Sequence, residues 1–459
     1  MAIAASTDLG LIGHLMRRAA FGAPLAELEA LASKGYDATV DDLLHPERHP
    51  RLEEDLLERY HTEHAGDLSY QWTSSRWLYR MINSPRPLEE KVALMWHGIF
   101  ATGAAKVINP PSMNSHYEML RDHGLGNFRV LLQQLSRDPG MVFWLDQQTN
   151  HATAVNENYG RELLELFSMG RGNYTEDDVR ACARAFTGWT LDQVIPRYPH
   201  GYYPAKFVYR EEDHDHGLKT FLGKTGDWNG DDIIDIIAEQ PVTANFVARK
   251  VHDFFVSDQP DHAFIAEIAR VFRESGCEIR PMLGYIFRSE AFKRARFKRV
   301  KSPAEFVVGT ERLAGTHREP HESGLDGLSE ATGLMGQQLL NPPTVEGWHT
   351  GREWIDSSFL VQRINFASDR LGNPGNPGIG SLIDRIVSGR TSIDPYDLIE
   401  ACLYELGALE ALDTTKESIK SELELTGPLD CSRTGREKFG EVTADVLRLI
   451  ASSREFQLA

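Results

Sequence analysis

Cysteine is scarce in this chain: its four copies, Cys182, Cys277, Cys402 and Cys431, lie far apart and form no Cys-x-x-Cys pair. That excludes a zinc-ribbon or thioredoxin-like motif and leaves buried free thiols as the expected state, in keeping with a reducing compartment. Long apolar runs are also missing. No stretch approaches the roughly 20 residues of a membrane-spanning helix. The opening MAIAASTDLGLIGHLMRRAAFG has no basic region followed by an apolar core, so it does not read as an export signal. A cytoplasmic location is the resulting expectation; export calls for a leader removed from the chain. Positive charge is in deficit too, with 49 Lys and Arg against 67 Asp and Glu and a net charge of -18. This balance disfavours general nucleic-acid binding and adsorption to anionic membranes, both of which draw on clustered Lys and Arg. The basic run Arg294–Lys301 is a local exception. No Gly-x-Ser-x-Gly elbow, Walker loop or Gly-x-Gly-x-x-Gly after a strand occurs, which removes the serine-hydrolase and nucleotide-dependent classes from the front rank.

What the sequence does contain is helical periodicity. With 459 residues the chain can bury a substantial core without disulfides or metals. Apolar residues at helical spacing predict helices over 25–34, 37–44, 51–64, 69–82 and 87–100, several entered through a proline. Further helices are expected over 230–239, 243–255, 262–275, 279–288 and 302–316. The segment 193–226 is loop-like and holds Pro196, Pro199 and Pro204. Within it Lys206–Arg210 has strand character and suits a short hairpin with Lys219–Leu222. Asn341–Gly351 reads as a rigid turn, and Gly372–Gly380 as a linker or long loop. The predicted fold is mainly α: a large multi-helix body with a small β-hairpin insert. Residues 1–371 form the expected core, with the loop and hairpin near 193–226, and 381–459 form a C-terminal helical segment packed on it. No fixed repeat and no alternating β-α pattern is present, so a doubly wound parallel sheet is not expected.

Four constellations could carry chemistry. The first is the acidic segment Asn156–Gly170, stopped by Gly170. At 100° per residue Glu157, Arg161 and Glu165 share one face, and Glu162 falls on a side that the fold can cover. A covered carboxyl has a raised pKa and suits acid–base work, and helical glutamates also ligate metals. The plainer alternative is a structural ladder in which Arg161 bridges Glu157 and Glu165. The second is His97, beside Trp96 in an otherwise apolar helix, which is more often a satisfied core residue than a ligand. The third is His214-Asp215-His216, whose residue types suit a metal, a proton transfer or a simple turn; His97, His214 and one glutamate would supply mixed N/O ligands for zinc or iron, although no Glu-x-x-His spacing fixes this. The fourth, Thr175 followed by Asp178, reads as a close relative of the capping box. Trp189 and Trp348 each follow a glycine, and packing is the first expectation for both.

These segments, taken in order, resemble a bacterial family called domain of unknown function 1800. The residues that carry the likeness are His14–Gly22, Met95–Thr102, Asn156–Gly170, Tyr174–Arg180, Phe186–Trp189, His214-Asp215 and Pro342–Trp348. The likeness covers about residues 9–370 and implies a largely helical fold without supplying an activity. It also implies that Glu157, Arg161, Glu162, His97, His214 and Asp215 share a site. Many relatives carry an export signal, and some are encoded beside a sulfatase-like protein, the one partner that the resemblance suggests. The chain departs from the pattern in one place: relatives usually read Trp-His-Asn-His-Phe where this chain has Gly98 and Ile99 after His97, so any site that needs both histidines is incomplete here.

Two functions follow as expectations. The first is a hydrolytic or metal-assisted enzyme with Glu157 or Glu162 as acid/base or ligand, Arg161 orienting it, and His97, His214 and Asp215 completing a polar cleft; its cofactor and metal are open. The second is a non-catalytic binding or assembly protein with the acidic helix as salt-bridge scaffold and the Trp189 and Trp348 loops as a recognition surface.

Overall fold

Two helices run through the middle of the molecule with all their sides covered. In Pro87–Ile99 every residue from Leu88 to His97 is buried. In Pro303–Ala314 ten of the twelve residues are buried, Glu305, Glu311 and Arg312 among them. A helix buried all round is ordinarily apolar all round. These two carry charge instead, so each charge must find a partner in the interior. Lys91 of the first helix meets Glu305 of the second, and Glu305 also takes Arg299 through two contacts of 2.8 Å. Glu90 meets Arg121 at 2.9 Å, Glu311 meets Arg370 at 2.8 Å, and Arg312 meets Glu27 at 2.9 Å. Local sequence sets the ends of both helices. Pro87 and Pro303 occupy first-turn positions, where no amide hydrogen is needed. Ser302 and Glu305 form a capping box, and Gly315 closes the second helix in the left-handed region at φ 73°.

The computed structural model describes residues 2–53, 55–64, 69–194 and 203–459. Among these are 24 α-helices and three two-stranded antiparallel sheets, so the fold is mainly α. Helices Tyr70–Asn83 and Pro110–His123 pack on Pro87–Ile99. Helix Ser357–Leu371 packs on Pro303–Ala314 and on Arg436–Ser452. One continuous apolar core runs from Leu9 to Phe456, with a small satellite of Val142, Leu191 and Ala205. All four cysteines are free and buried. Among the described residues no helix is long and apolar enough to cross a membrane.

Several elements differ from expectation. The strand Phe207–Tyr209 does not pair with Lys219–Leu222. It pairs with Trp189–Leu191, while Lys219–Phe221 forms its own hairpin with Lys224–Gly226. The tight turn at Leu222 and Gly223, both at positive φ, lets the latter pair close locally, so two hairpins stand where one was expected. Pro196 and Pro199 lie outside the described residues. The Gly372–Gly380 stretch is not all linker: Pro377 starts the helix Pro377–Val387. Of the predicted helix 51–64, among the described residues Asp55–Tyr60 is α-helical, followed by a short 3-10 turn at Thr62–His64.

The buried ion pairs make stability depend on pH in two windows. Burial alone would push the Glu305 carboxyl up, but Arg299 and Lys91 hold it well below its ordinary 4.5. Its contribution is therefore present above that value and is lost as pH falls below it. Burial pushes Glu90 up to about 7 against the pull of Arg121. Glu90 therefore favours the folded state as pH drops from 7 towards 4.5, the opposite sign. We expect Glu305→Gln, which strands Lys91 and Arg299, to cost about 3–5 kcal/mol in a denaturant titration at pH 7. The variant should also lose stability less steeply than the parent below pH 4.5; an equally steep acid limb in both proteins would contradict this account.

Candidate functional site

The acidic helix is shorter than its sequence pattern suggested. It spans Asn158–Glu165, with Glu157 at the N-cap position. The chain then leaves the helix through wider bonds, Phe167 N–H to the Glu162 carbonyl and Gly170 N–H to the Leu164 carbonyl, with Gly170 at φ 79°. Arg161 does form a ladder, but its second partner is Glu176 rather than Glu165. Its guanidinium meets Glu176 at 2.7 and 2.9 Å and Glu157 at 3.2 Å. Glu165 instead pairs with Arg171 and accepts the Tyr174 hydroxyl at 2.8 Å, and Arg171 reaches on to Glu346 at 3.0 Å. Glu162 is half-buried. Burial raises its pKa, and the charges of Glu165 and Glu346 add to that rise against Arg161 and Arg171. The expected capping box of Thr175 and Asp178 starts the next helix, Glu176–Ala185.

His97 is fully buried, with its ring 5.3 Å from Trp77, 5.1 Å from Trp348 and 6.1 Å from His116. Its Nε2 accepts the Leu340 backbone N–H at 3.0 Å, so the ring proton resides on Nδ1. Burial, with His116 adding to it, lowers its pKa well below the ordinary value and keeps the ring neutral. Among the described residues it shares no hydrogen bond or ion pair with Glu157, Arg161, Glu162, His214 or Asp215.

His214 and Asp215 sit in the loop before Lys219–Phe221. Buried His214 donates from Nδ1 to the Thr187 carbonyl at 2.9 Å, and Asp215 binds Arg184 at 2.6 Å. Arg184 lies on the same helix as Arg180, whose guanidinium is 3.7 Å from Glu157. Helix Glu176–Ala185 thus carries the partners of both Glu157 and Asp215. The ligand atoms of His214, His216 and Asp227 lie within 4.8 Å of one another, a spacing that can hold a metal ion. Asp227 gives one oxygen to buried Lys219 at 3.1 Å and turns the other towards His216 at 3.8 Å.

A cleft of about 1420 Å³ opens beside the central helix. The end of Pro87–Ile99 floors it with Gly98 and Ile99, and Glu346 and Trp348 wall it from the motif Pro342–Trp348. Gly347, at φ 87°, sits so close that a Cβ there would lie 2.4 Å from the Gly98 carbonyl oxygen. A Cβ at Gly98, by contrast, meets nothing within 4 Å, so the departure from the usual Asn leaves open space in the cleft. Trp348 therefore borders the cleft, whereas Trp189 is buried against Phe186 and Phe207 and offers no recognition surface.

Sequence reasoning missed the charge behind this cleft. Arg17 and Arg18 belong to the His14–Gly22 motif and are both buried, as are Lys91, Arg299 and Arg363. The signal was present in Leu15-Met-Arg-Arg-Ala-Ala-Phe21, two arginines in an otherwise apolar helix. Two members of the basic run Arg294–Lys301 likewise turn inward, Arg299 to Glu305 and Lys301 to the Phe456 carbonyl at 2.8 Å, while Arg294 and Lys298 stay exposed.

Removing single predicted residues should separate surface ladder from core. Arg161→Ala is expected to change stability by less than about 1 kcal/mol, since the ladder is solvent-screened. His97→Ala strands the Leu340 amide and opens a cavity, at about 2–4 kcal/mol. Chemical denaturation of both variants tests the contrast, and a larger loss for Arg161→Ala would refute it.

No curated protein and no solved structure matches this chain. Residues 14–458 match the family described as "Protein of unknown function (DUF1800)". The match takes in the buried arginine motif at one end and the helix Arg436–Ser452 at the other, and by it the chain belongs to the DUF1800 family.

Proposed function

We propose that the cleft beside Gly98 and Ile99 is the working site and that its ligand is an anion. One observation carries this reading. In a protein of net charge -18, the cleft is lined by five basic residues, Lys250, Lys298, Arg299, Arg352 and Arg454, against three acidic ones, Asp253, Asp258 and Glu346. A concave surface of minority charge concentrates ligands of the opposite sign. The chemistry that best suits the groups at hand is hydrolytic. Glu162 feels the charges of Arg171 and of Glu346, which lines the cleft, and its raised pKa favours the protonated form that a general acid needs. Glu157 and Arg161, already paired, act in this reading as the scaffold of that helix.

The test screens p-nitrophenyl phosphate, sulfate and carboxylate esters. Charge reversal at Lys298 and Arg352 should raise KM by about 10-fold for the ester that is turned over. Glu162→Gln should cut kcat about 100-fold or more at unchanged thermal stability. Activity should decline as pH rises past the raised Glu162 pKa, because the acid form is lost. No turnover of any ester, together with anion binding that ignores both charge reversals, would sink this reading.

A metal-assisted reading is favoured by a separate feature, the His214–His216–Asp227 cluster. The bond from His214 Nδ1 to Thr187 leaves Nε2 free, the orientation that supporting shells give to metal-ligating histidines. Zinc titration should then show binding weakened by about 10- to 100-fold in His216→Ala and Asp227→Asn. Equal zinc affinity in parent and variants would exclude it.

A further inference from the structure

Buried positive charge exceeds buried negative charge on one side of the Pro303–Ala314 helix. Arg17, Arg18, Lys91, Arg299 and Arg363 are all more than nine-tenths buried, and they surround a single buried carboxylate, Glu305. Lys301 lies beside them, and its burial, together with the charges of Arg17 and Arg363, lowers its pKa well below the usual lysine value. Glu305 has no capacity to spare. Its oxygens already take Lys91, both contacts of Arg299 and the Ser302 N–H. Asp258 also acts on Arg18, but it is exposed and accepts the Val300 N–H. Guanidinium groups do not shed their charge in proteins, so the excess cannot be removed by neutralising the arginines.

The hydrogen bonds tell the same story. Arg17 spends one nitrogen, Nη1, on the Gly407 carbonyl at 2.7 Å, and its Nε and Nη2 have no partner among the described residues. Arg18 leaves Nε and Nη1 without a partner, and Arg363 leaves Nη1. Buried donors of this kind each cost stability unless something accepts from them. Arg17, Lys301 and Glu305 line a small cavity of about 40 Å³ between helices Ala2–Ala19 and Pro303–Ala314, together with Phe21, Gly407 and Phe456. That is room for a few water molecules or one tetrahedral oxyanion, since a water needs roughly 10–15 Å³ on the same measure.

We propose that this cavity is an oxyanion site, holding a phosphate, sulfate or carboxylate group against the free Nε and Nη2 of Arg17 and beside the Nζ of Lys301. The bound group offsets charge that the protein itself leaves unbalanced, and it ties the first helix to the C-terminal Phe456. This site shares no lining residue with the cleft proposed above, so the two can fail independently.

The experiment uses the full chain exchanged into chloride buffer. Acid denaturation followed by ion chromatography should release about one phosphate or sulfate per chain; a stripped protein should instead show a rise in Tm of about 3 °C at 100-fold saturation with phosphate, sulfate or acetate, compared with chloride at equal ionic strength. The three anions distinguish the oxyanion classes. Arg17→Met should lose the released anion or the Tm shift. Lys301→Met carries the same test if Arg17→Met does not fold. Absence of both release and shift in the parent overturns the proposal, as does a variant that keeps the full response. So does an Arg17→Met protein that is more stable than the parent in every buffer, because that is the behaviour of an arginine facing only water.

Discussion

The pair formed by Lys91 and Glu305, braced by Arg299, is the constraint on which the interior depends. It joins the two central helices at the point where both are covered on every side. Ions of this kind gain little net stability over a well-packed apolar pair, but they are costly to break singly. The interaction therefore acts as a register mark. In the observed register Lys91 of Pro87–Ile99 meets Glu305 of Pro303–Ala314, and the capping box of Ser302 and Glu305 fixes that carboxylate at the first turn. The cleft inherits its position from that register, because Gly98 and Ile99 lie two turns further along the same helix and Arg299 lines the cleft.

The protein divides its charge unevenly. Its surplus of acids is largely on the surface, where ladders such as Arg161 with Glu157 and Glu176 are open to solvent and salt. Its buried charge near the first helix is mostly basic. An anionic ligand approaching such a molecule is repelled at long range and attracted at the cleft, which favours discrimination over speed of capture.

Much of the fold was legible in the sequence because the signals were local. The proline-led helices and the Thr175–Asp178 cap are fixed by residues within one turn of each other, and they appear where expected. The failures came where pairing is decided at a distance. Phe207–Tyr209 chose Trp189–Leu191 as its neighbour, and nothing within the strand records that choice. Arg161 found Glu176 from the next helix rather than Glu165 from its own, since two contacts with one carboxylate outweigh an i,i+4 bridge. Of the expected site, the His214 loop and the Pro342–Trp348 turn were legible as motifs. The buried arginines left only a faint signal, two arginines in an apolar helical stretch, and a helical pattern read alone assigns them to solvent.

Gly347 lies between two residues of the cleft wall, Glu346 and Trp348, and fixes where that wall sits. With its α-carbon against the Gly98 carbonyl there is no clearance for a side chain, and its positive φ suits glycine alone among common residues. The turn and the helix end are thus keyed together at a single point. A wall seated in this way is a fixed jaw, not a moving lid. If the cleft is the working site proposed above, its ligands are sorted by a shape already set, with adjustment left to long rim side chains such as Lys298, Arg352 and Arg454.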